Sequence, residues 1–168
     1  ASNRGTSMHS YIEDFLRGRI NESFFESNEQ YKNMAKEIIE KGIKGKLEEI
    51  YGMETTLHYP EKYAGTADLV GIYQGQETII DFKQANRAKR EEWIEDYYLQ
   101  LAAYICAHEK EYGEIKKGQI LIAVKNLTFQ EFEISGNRLL EYKDKWWKRV
   151  EQFKTSLAQP LPESSPTT

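Results

Sequence analysis

The chain has 168 residues, 39% of them hydrophobic and 30% charged, with a formal net charge of −4. That fits one soluble domain with a sizeable core, and no apolar run approaches the roughly 18 residues of a membrane span. The acidic balance excludes a protein that coats nucleic acid through overall charge, and the single cysteine excludes disulfide frameworks and cysteine-cluster sites.

No signal-peptide pattern stands in the chain, so the expected setting is intracellular, in the cytoplasm or an organelle matrix, with no membrane partner. Gly42-Ile43-Lys44-Gly45-Lys46 lacks the spacing and the hydroxyl of a phosphate loop, so no ATP is expected to be used. There is no internal repeat.

Thr6 can cap a first helix in which Met8, Tyr11, Ile12, Phe15, Leu16 and Ile20 form an apolar stripe. His9 lies at the edge of that stripe, with Glu13 one turn on; alone, such a histidine is more often packed or solvated than a ligand. Ser27-Asn28-Glu29-Gln30 reads as a capping box that opens a second helix, with Tyr31, Met34, Ala35, Ile38, Ile39, Gly42 and Ile43 facing a core. Glu54 to Tyr59 predicts a first strand ended by Pro60. The Glu54 carboxylate either reaches a site in the following hairpin or sits in solvent.

Ala67 to Tyr73 and Thr78 to Phe82 are β-rich runs around Gln74-Gly75-Gln76 and predict a hairpin. With Gln74 and Gly75 as the loop, Tyr73 pairs with Gln76, and counting outward sets Asp68 opposite Asp81. Alternation then puts Thr66, Asp68, Val70 and Ile72 on one face with Ile79, Asp81 and Lys83, while Leu69, Tyr73, Ile80 and Phe82 take the other. Opposed residues have Cβ atoms roughly 5 Å apart, and like charges so placed are destabilising unless compensated. A divalent cation compensates them: Mg²⁺ and Mn²⁺ take oxygen ligands, commonly one or two carboxylates plus water and phosphate. With Gly75-Gln76 as the loop, Asp68 instead faces Lys83 in a surface salt bridge worth little. Gln-Gly is not the favoured Asn-Gly turn, so the turn residues leave both registers open.

Gln84 to Arg90 is a basic connection whose Arg87, Lys89 and Arg90 either hold phosphates of a polyanion or are simply solvated. Glu91 to Lys110 predicts a helix with Trp93, Ile94, Tyr97, Leu101, Ile105 and His108 at helical spacing, and with Gln100 and Tyr104 on one side of it. Cys106 reads as a buried small hydrophobe. Gly118 to Lys125 has the continuous apolar character of a strand covered on both faces, and Thr128 to Ile134 alternates as another strand. From Gly136 to Leu157 a last helix carries Trp146 and Trp147 beside Lys143, Lys145, Lys148 and Arg149. That face either stacks nucleic-acid bases or buries its tryptophans under a solvated basic surface. A single domain over 1–157 is expected, with a Pro-, Ser- and Thr-rich disordered tail over 158–168.

With these residues in place, the chain resembles the PD-(D/E)XK nuclease superfamily, and within it the RecB-like exonucleases, which include organellar and phage enzymes. Arg4-Gly5-Thr6-Ser7-Met8-His9, with Glu13 after it, is similar to the family's first motif, and Gly65-Thr66-Ala67-Asp68 to its second. Asp81-Phe82-Lys83 resembles the acidic-x-Lys motif, and Gln100-Leu101-Ala102-Ala103-Tyr104 the Gln-x-x-x-Tyr motif; the blocks stand in the family's order. The position after the lysine, often threonine or serine in relatives, is Gln84 here.

The resemblance implies a restriction-endonuclease-like αβββαβ core, an α/β fold with a mixed central sheet flanked by helices. It implies His9, Asp68, Asp81 and the Phe82 carbonyl as ligands of one or two Mg²⁺ or Mn²⁺ ions. Lys83 would be the catalytic lysine, and Gln100 and Tyr104 would support the site and touch substrate. Thr66, Gln84, Arg87, Lys89 and Arg90 complete the surface expected to contact DNA. The implied activity is that of an exonuclease on single-stranded DNA with a free end, leaving 5′-phosphates. The alternatives are a structure-specific or restriction-type endonuclease of the same fold and a non-catalytic DNA-binding module.

Overall fold

A computed structural model describes residues 7–19 and 29–158, the last four of these by backbone alone. Helix α1 (Met8–Leu16) starts at Ser7, whose side chain accepts a hydrogen bond from the Ser10 N–H at 3.1 Å. The cap is therefore Ser7 and not Thr6, which lies outside the described residues along with Ile20, Ser27, Asn28 and the tail beyond 158. Helix α2 (Glu29–Ile38) runs on into a wider π-turn (Ile39–Ile43). That turn leaves the Gly42 carbonyl free to accept from the buried Tyr73 hydroxyl at 2.7 Å.

Five strands form one sheet in the order β1 (Leu47–Tyr59), β2 (Tyr63–Tyr73), β3 (Gln76–Ala85), β4 (Lys117–Val124) and β5 (Phe129–Ser135). Only β3 and β4 run parallel, joined through helix α3 (Glu95–Glu111). Helix α4 (Gly136–Ala158) closes the chain. The arrangement is a mixed sheet flanked by helices in αβββαβ order, that of a restriction-endonuclease-like fold.

The alternation read from the hairpin is the alternation of the core. Val70, Ile79, Ile120 and Ile122 pack with Tyr98, Leu101 and Ile105 of α3 on one side of the sheet. Leu69, Tyr73, Ile80 and Phe82 pack with Met8 and Ile12 of α1 and Met34 and Ile38 of α2 on the other. Strand β4 contributes to both sides and is buried along its whole length, as its continuous apolar run requires. Helices α1 and α3 thus lie on opposite sides of the hairpin.

Two elements differ from the sequence expectation. Strand β1 begins at Leu47, seven residues early, because Glu48 to Tyr51 lie exposed on an edge strand with irregular register on both sides of Ile50 and no apolar alternation to mark it. Helix α3 begins after a single 3₁₀ turn (Glu91–Trp93), so Trp93 is 60% exposed under the Arg90 guanidinium and not part of the core. On α4, Trp146 and Trp147 pack edge-on against Tyr63 and Tyr59, with ring centroids 5.1 and 4.8 Å apart. The adjoining Lys143, Lys145, Lys148 and Arg149 face Glu109, Glu95, Asp144 and Asp96. Each of these cations thus has a carboxylate partner, and Trp146 and Arg149 also line a cavity with Gly65, Gln100 and Tyr104. Among the described residues no helix is long and apolar enough to cross a membrane.

Candidate active site

The hairpin register decides the geometry. Gln74 and Gly75 form the loop, with φ of 51° and 80°, and Tyr73 pairs with Gln76. Such a turn needs positive φ at both positions, which Gly75 adopts without strain. Gln74 is held there by its backbone N–H to the Lys46 carbonyl (2.7 Å) and by its side-chain oxygen, which accepts from Lys117 Nζ (3.0 Å).

Cross-strand pairing runs outward to Leu69 opposite Ile80 and ends there; Asp68 and Asp81 are the next residue on each strand. Here the strands part and the carboxylates take over the backbone donors. The Phe82 N–H donates to Asp68 Oδ2 at 2.8 Å, and the Asp68 N–H donates to Asp81 Oδ1 at 3.3 Å. Helix α1 enters the opening with His9, whose Nε2 lies 2.7 Å from the Phe82 carbonyl and 3.3 Å from Asp68 Oδ2. His9, Asp68, Asp81 and the Phe82 carbonyl therefore converge at the fork between β2 and β3.

Asp81 is 3% exposed, and its carboxyl is pushed up to about 7 by burial first and by the Asp68 charge second; Lys83 and His9 offset only part of this. Burial disfavours the charged form of His9, but its hydrogen bond to Asp68 and the nearby carboxylates outweigh that and raise its pKa. The fork is a negative site whose charge the protein leaves partly uncompensated.

Lys83 stands two residues past Asp81 on the same face. Its ammonium donates to Gln100 Oε1 at 2.8 Å, lies 3.9 Å from Asp81 Oδ2 and rests 4.6 Å over the Tyr97 ring. Gln100 and Tyr104, one turn apart on α3, both face the cavity, of about 800 Å³, that contains the fork. Tyr104 is kept a neutral phenol by burial and by the Asp81 and Asp68 charges, which together raise its pKa. Its ring lies against Gly65, where a Cβ would stand 2.7 Å from Tyr104 Cε1; the glycine allows this approach.

Thr66 and Gln84 also line the cavity, and Lys89 lines a neighbouring one. Arg87 and Arg90 line neither: Arg87 is exposed, and Arg90 turns to Trp93 and Glu92. Glu54 lines the cavity wall beside His9 and Asp68, at a β1 position with φ of 46°. Tyr31 of α2 borders the same space without having been singled out in the sequence, where it looks like any core-facing aromatic.

The donor set suits a hard divalent cation, with carboxylate and carbonyl oxygens, one imidazole and charge left to neutralise. Among the described residues, no three His, Cys, Asp or Glu side chains stand open as a ready-made ligand array. His9 is closed onto the Phe82 carbonyl and Asp68, and seating an ion would exchange those contacts.

No protein-family model matches this chain, and no curated protein matches it in sequence. Among solved structures it is similar to a protein from Eubacterium rectale that is provisionally described as an exonuclease. The TM-score is 0.57 at 14% identity, covering 96% of this chain and 76% of that one. The likeness lies in the fold. A second structure, of the protein SSO0001, aligns at a TM-score of 0.45 and 16% identity over 95% of this chain and 75% of that one, too loosely to carry weight.

Proposed function

We propose that the chain is a Mg²⁺- or Mn²⁺-dependent deoxyribonuclease of the RecB-like branch of the PD-(D/E)XK superfamily, acting on single-stranded DNA from a free end and leaving 5′-phosphates. One observation carries this reading: Asp68 and Asp81 face each other at the mouth of a split hairpin, with Lys83 on the same face beside them. A binding module gains nothing from opposed carboxylates, one of them buried, where a polyanion is to lie. The Eubacterium rectale neighbour supports the nuclease class through its description and shared fold.

Asp68, Asp81, His9 Nε2 and the Phe82 carbonyl would hold one or two cations. When bound there, such an ion lowers the pKa of a water and neutralises charge on the phosphate under attack. The other roles belong to the chain itself. Gln100 fixes the Lys83 ammonium by accepting its hydrogen bond, so that the remaining donors of Lys83 orient the water and stabilise the charge developing on phosphorus oxygens. We assign Lys83 this orienting and electrostatic role in place of that of a base, on its contacts with Gln100 and Asp81. Tyr104, a neutral phenol, donates its O–H to a non-bridging oxygen, and Thr66 and Gln84 position the strand along the cavity wall.

The test is degradation of end-labelled linear single strands, linear duplex and closed circular single strands, each with Mg²⁺, Mn²⁺ or EDTA, by this chain and by Lys83→Ala. The expected result is metal-dependent loss of the linear single strand, with circles spared and the variant inactive. Cutting of circles would instead make the protein an endonuclease, and DNA binding without cutting under either metal would sink the catalytic assignment.

A further inference from the structure

Beside the acidic fork lies a second cavity, of about 430 Å³, which shares Tyr31 and Gln84 with the first. Where the first holds carboxylates, the second holds Lys89 and Lys125 and, among its lining residues, no acid. Lys89 belongs to the connection after β3, and Lys125 follows the end of β4. They are 36 positions apart in the chain but meet here because β3 and β4 run parallel and end together, with Ala85 beside Val124.

The backbones that carry both lysines are fastened. Gln130 of β5 grips Lys89 twice: its Oε1 accepts from the Lys89 N–H and its Nε2 donates to the Lys89 carbonyl, each at 2.8 Å. The Lys125 N–H donates to the Ala85 carbonyl at 2.8 Å. Among the described residues neither ammonium has a carboxylate within 4.0 Å. By contrast, Lys44, Lys46, Lys143, Lys145 and Lys148 each have one. In a chain of net charge −4, two lysines with fastened backbones and no carboxylate partner lining one cavity offer a place for an anion.

We infer that this cavity is a phosphate-binding subsite, in which Lys89 and Lys125 hold a phosphodiester of the strand engaged at the Asp68–Asp81 fork, further along from the linkage seated there. The inference rests on the nuclease reading above for the nature of the strand. From Asp81 to Ala85 the chain advances about 13 Å along β3, too far for both sites to grip one phosphate. The subsite therefore takes a different linkage, further along the strand, and Gln84 and Tyr31 belong to the lining of both cavities. Arg87 and Arg90, nearer in sequence to Lys83 than Lys125 is, have no part in it.

The test is binding of a fluorescein-labelled single-stranded 15-nucleotide DNA in EDTA, followed by anisotropy from about 50 to about 300 mM NaCl. It compares the full chain with Lys89→Gln, Lys125→Gln, the double variant and Lys110→Gln as a lysine control elsewhere on the surface, with thermal melting to show that each is folded. Turnover of the same strand with Mg²⁺ is measured in parallel. The double variant is expected to bind about tenfold more weakly, with a salt slope lower by about 0.7 for each lysine removed, and to raise KM more than it lowers kcat. Lys110→Gln should match the wild type. If the folded double variant binds with unchanged affinity and slope while the wild type degrades the strand, the subsite is overturned and the nuclease reading stands. If the double variant loses binding but the wild type degrades no strand, the subsite stands as a nucleic-acid site and the nuclease reading falls.

Discussion

Asp81→Asn removes a charge that the fold holds at a cost, so in EDTA the variant should unfold at higher urea than the wild type at pH 8, with the gap nearly closed by pH 4. The folded pKa of about 7 lies above the ordinary 3.8, so between those values the folded protein binds more protons than the unfolded chain. By linkage, stability then falls as pH rises through that window, and the penalty is fully present above pH 7. A difference of about 3 units at ~1.36 kcal/mol each sets a ceiling of about 4 kcal/mol. Asparagine keeps an oxygen to accept from the Asp68 N–H but forfeits the attraction of Lys83 at 3.9 Å, so the expected gain is about 2 kcal/mol at pH 8. With a urea dependence of 1–3 kcal/mol per molar, that is a midpoint shift of about 1 M. The assay is urea unfolding by fluorescence at pH 4, 6 and 8, wild type against variant, so that the titrations common to both cancel. A variant less stable than the wild type at pH 8, or a gap that does not change with pH, would refute the claim that Asp81 is held charged at a cost.

Gln100→Leu removes the acceptor that fixes Lys83 Nζ at 2.8 Å, and should lower kcat about 10- to 100-fold with KM and unfolding midpoint little changed; kcat within twofold of wild type would end the positioning role. Gly65→Ala places a Cβ 2.7 Å from Tyr104 Cε1 and must displace that ring. It should cost about 1 kcal/mol of stability and about tenfold in turnover, and combining it with Tyr104→Phe should add little further, since both act on one phenol. Additive losses in that cycle would show that the two act separately.

The hairpin was legible because a strand's two-residue period makes register a question of parity. Once Tyr73 pairs with Gln76, the positions of Asp68, Asp81 and Lys83 follow from counting. What the local residues left open was which pair of residues turns the chain. The answer came from elsewhere in the fold, where Lys46 and Lys117 hold Gln74 in a conformation that its own side chain does not favour. His9 was visible only through its motif, since nothing in the helical periodicity distinguishes a ligand from a residue at the stripe's edge. The exposed start of β1 carries no pattern to read. The pairing of Lys89 with Lys125 was out of reach of local reasoning, because it depends on two parallel strands ending level and on a glutamine of a third strand. The partners of Trp146 and Trp147 were out of reach of composition, because the tyrosines they pack on sit on strands far earlier in the chain.

The fork between β2 and β3 works like a pair of tongs whose handles are riveted from Tyr73–Gln76 to Leu69–Ile80 and whose jaws are the first residues beyond the last rivet. Jaw spacing is then a mechanical property of the handles. A cation seated there at 2.0–2.1 Å from its oxygens, as Mg²⁺ requires, calls for a narrower gape than one at the 2.3–2.6 Å of Ca²⁺. Discrimination between ions of equal charge would thus be written partly in the packing of Leu69 and Ile80 against α1 and α2. If the fork holds a cation as proposed, substitutions in that apolar layer, well away from any carboxylate, would change which ion it accepts.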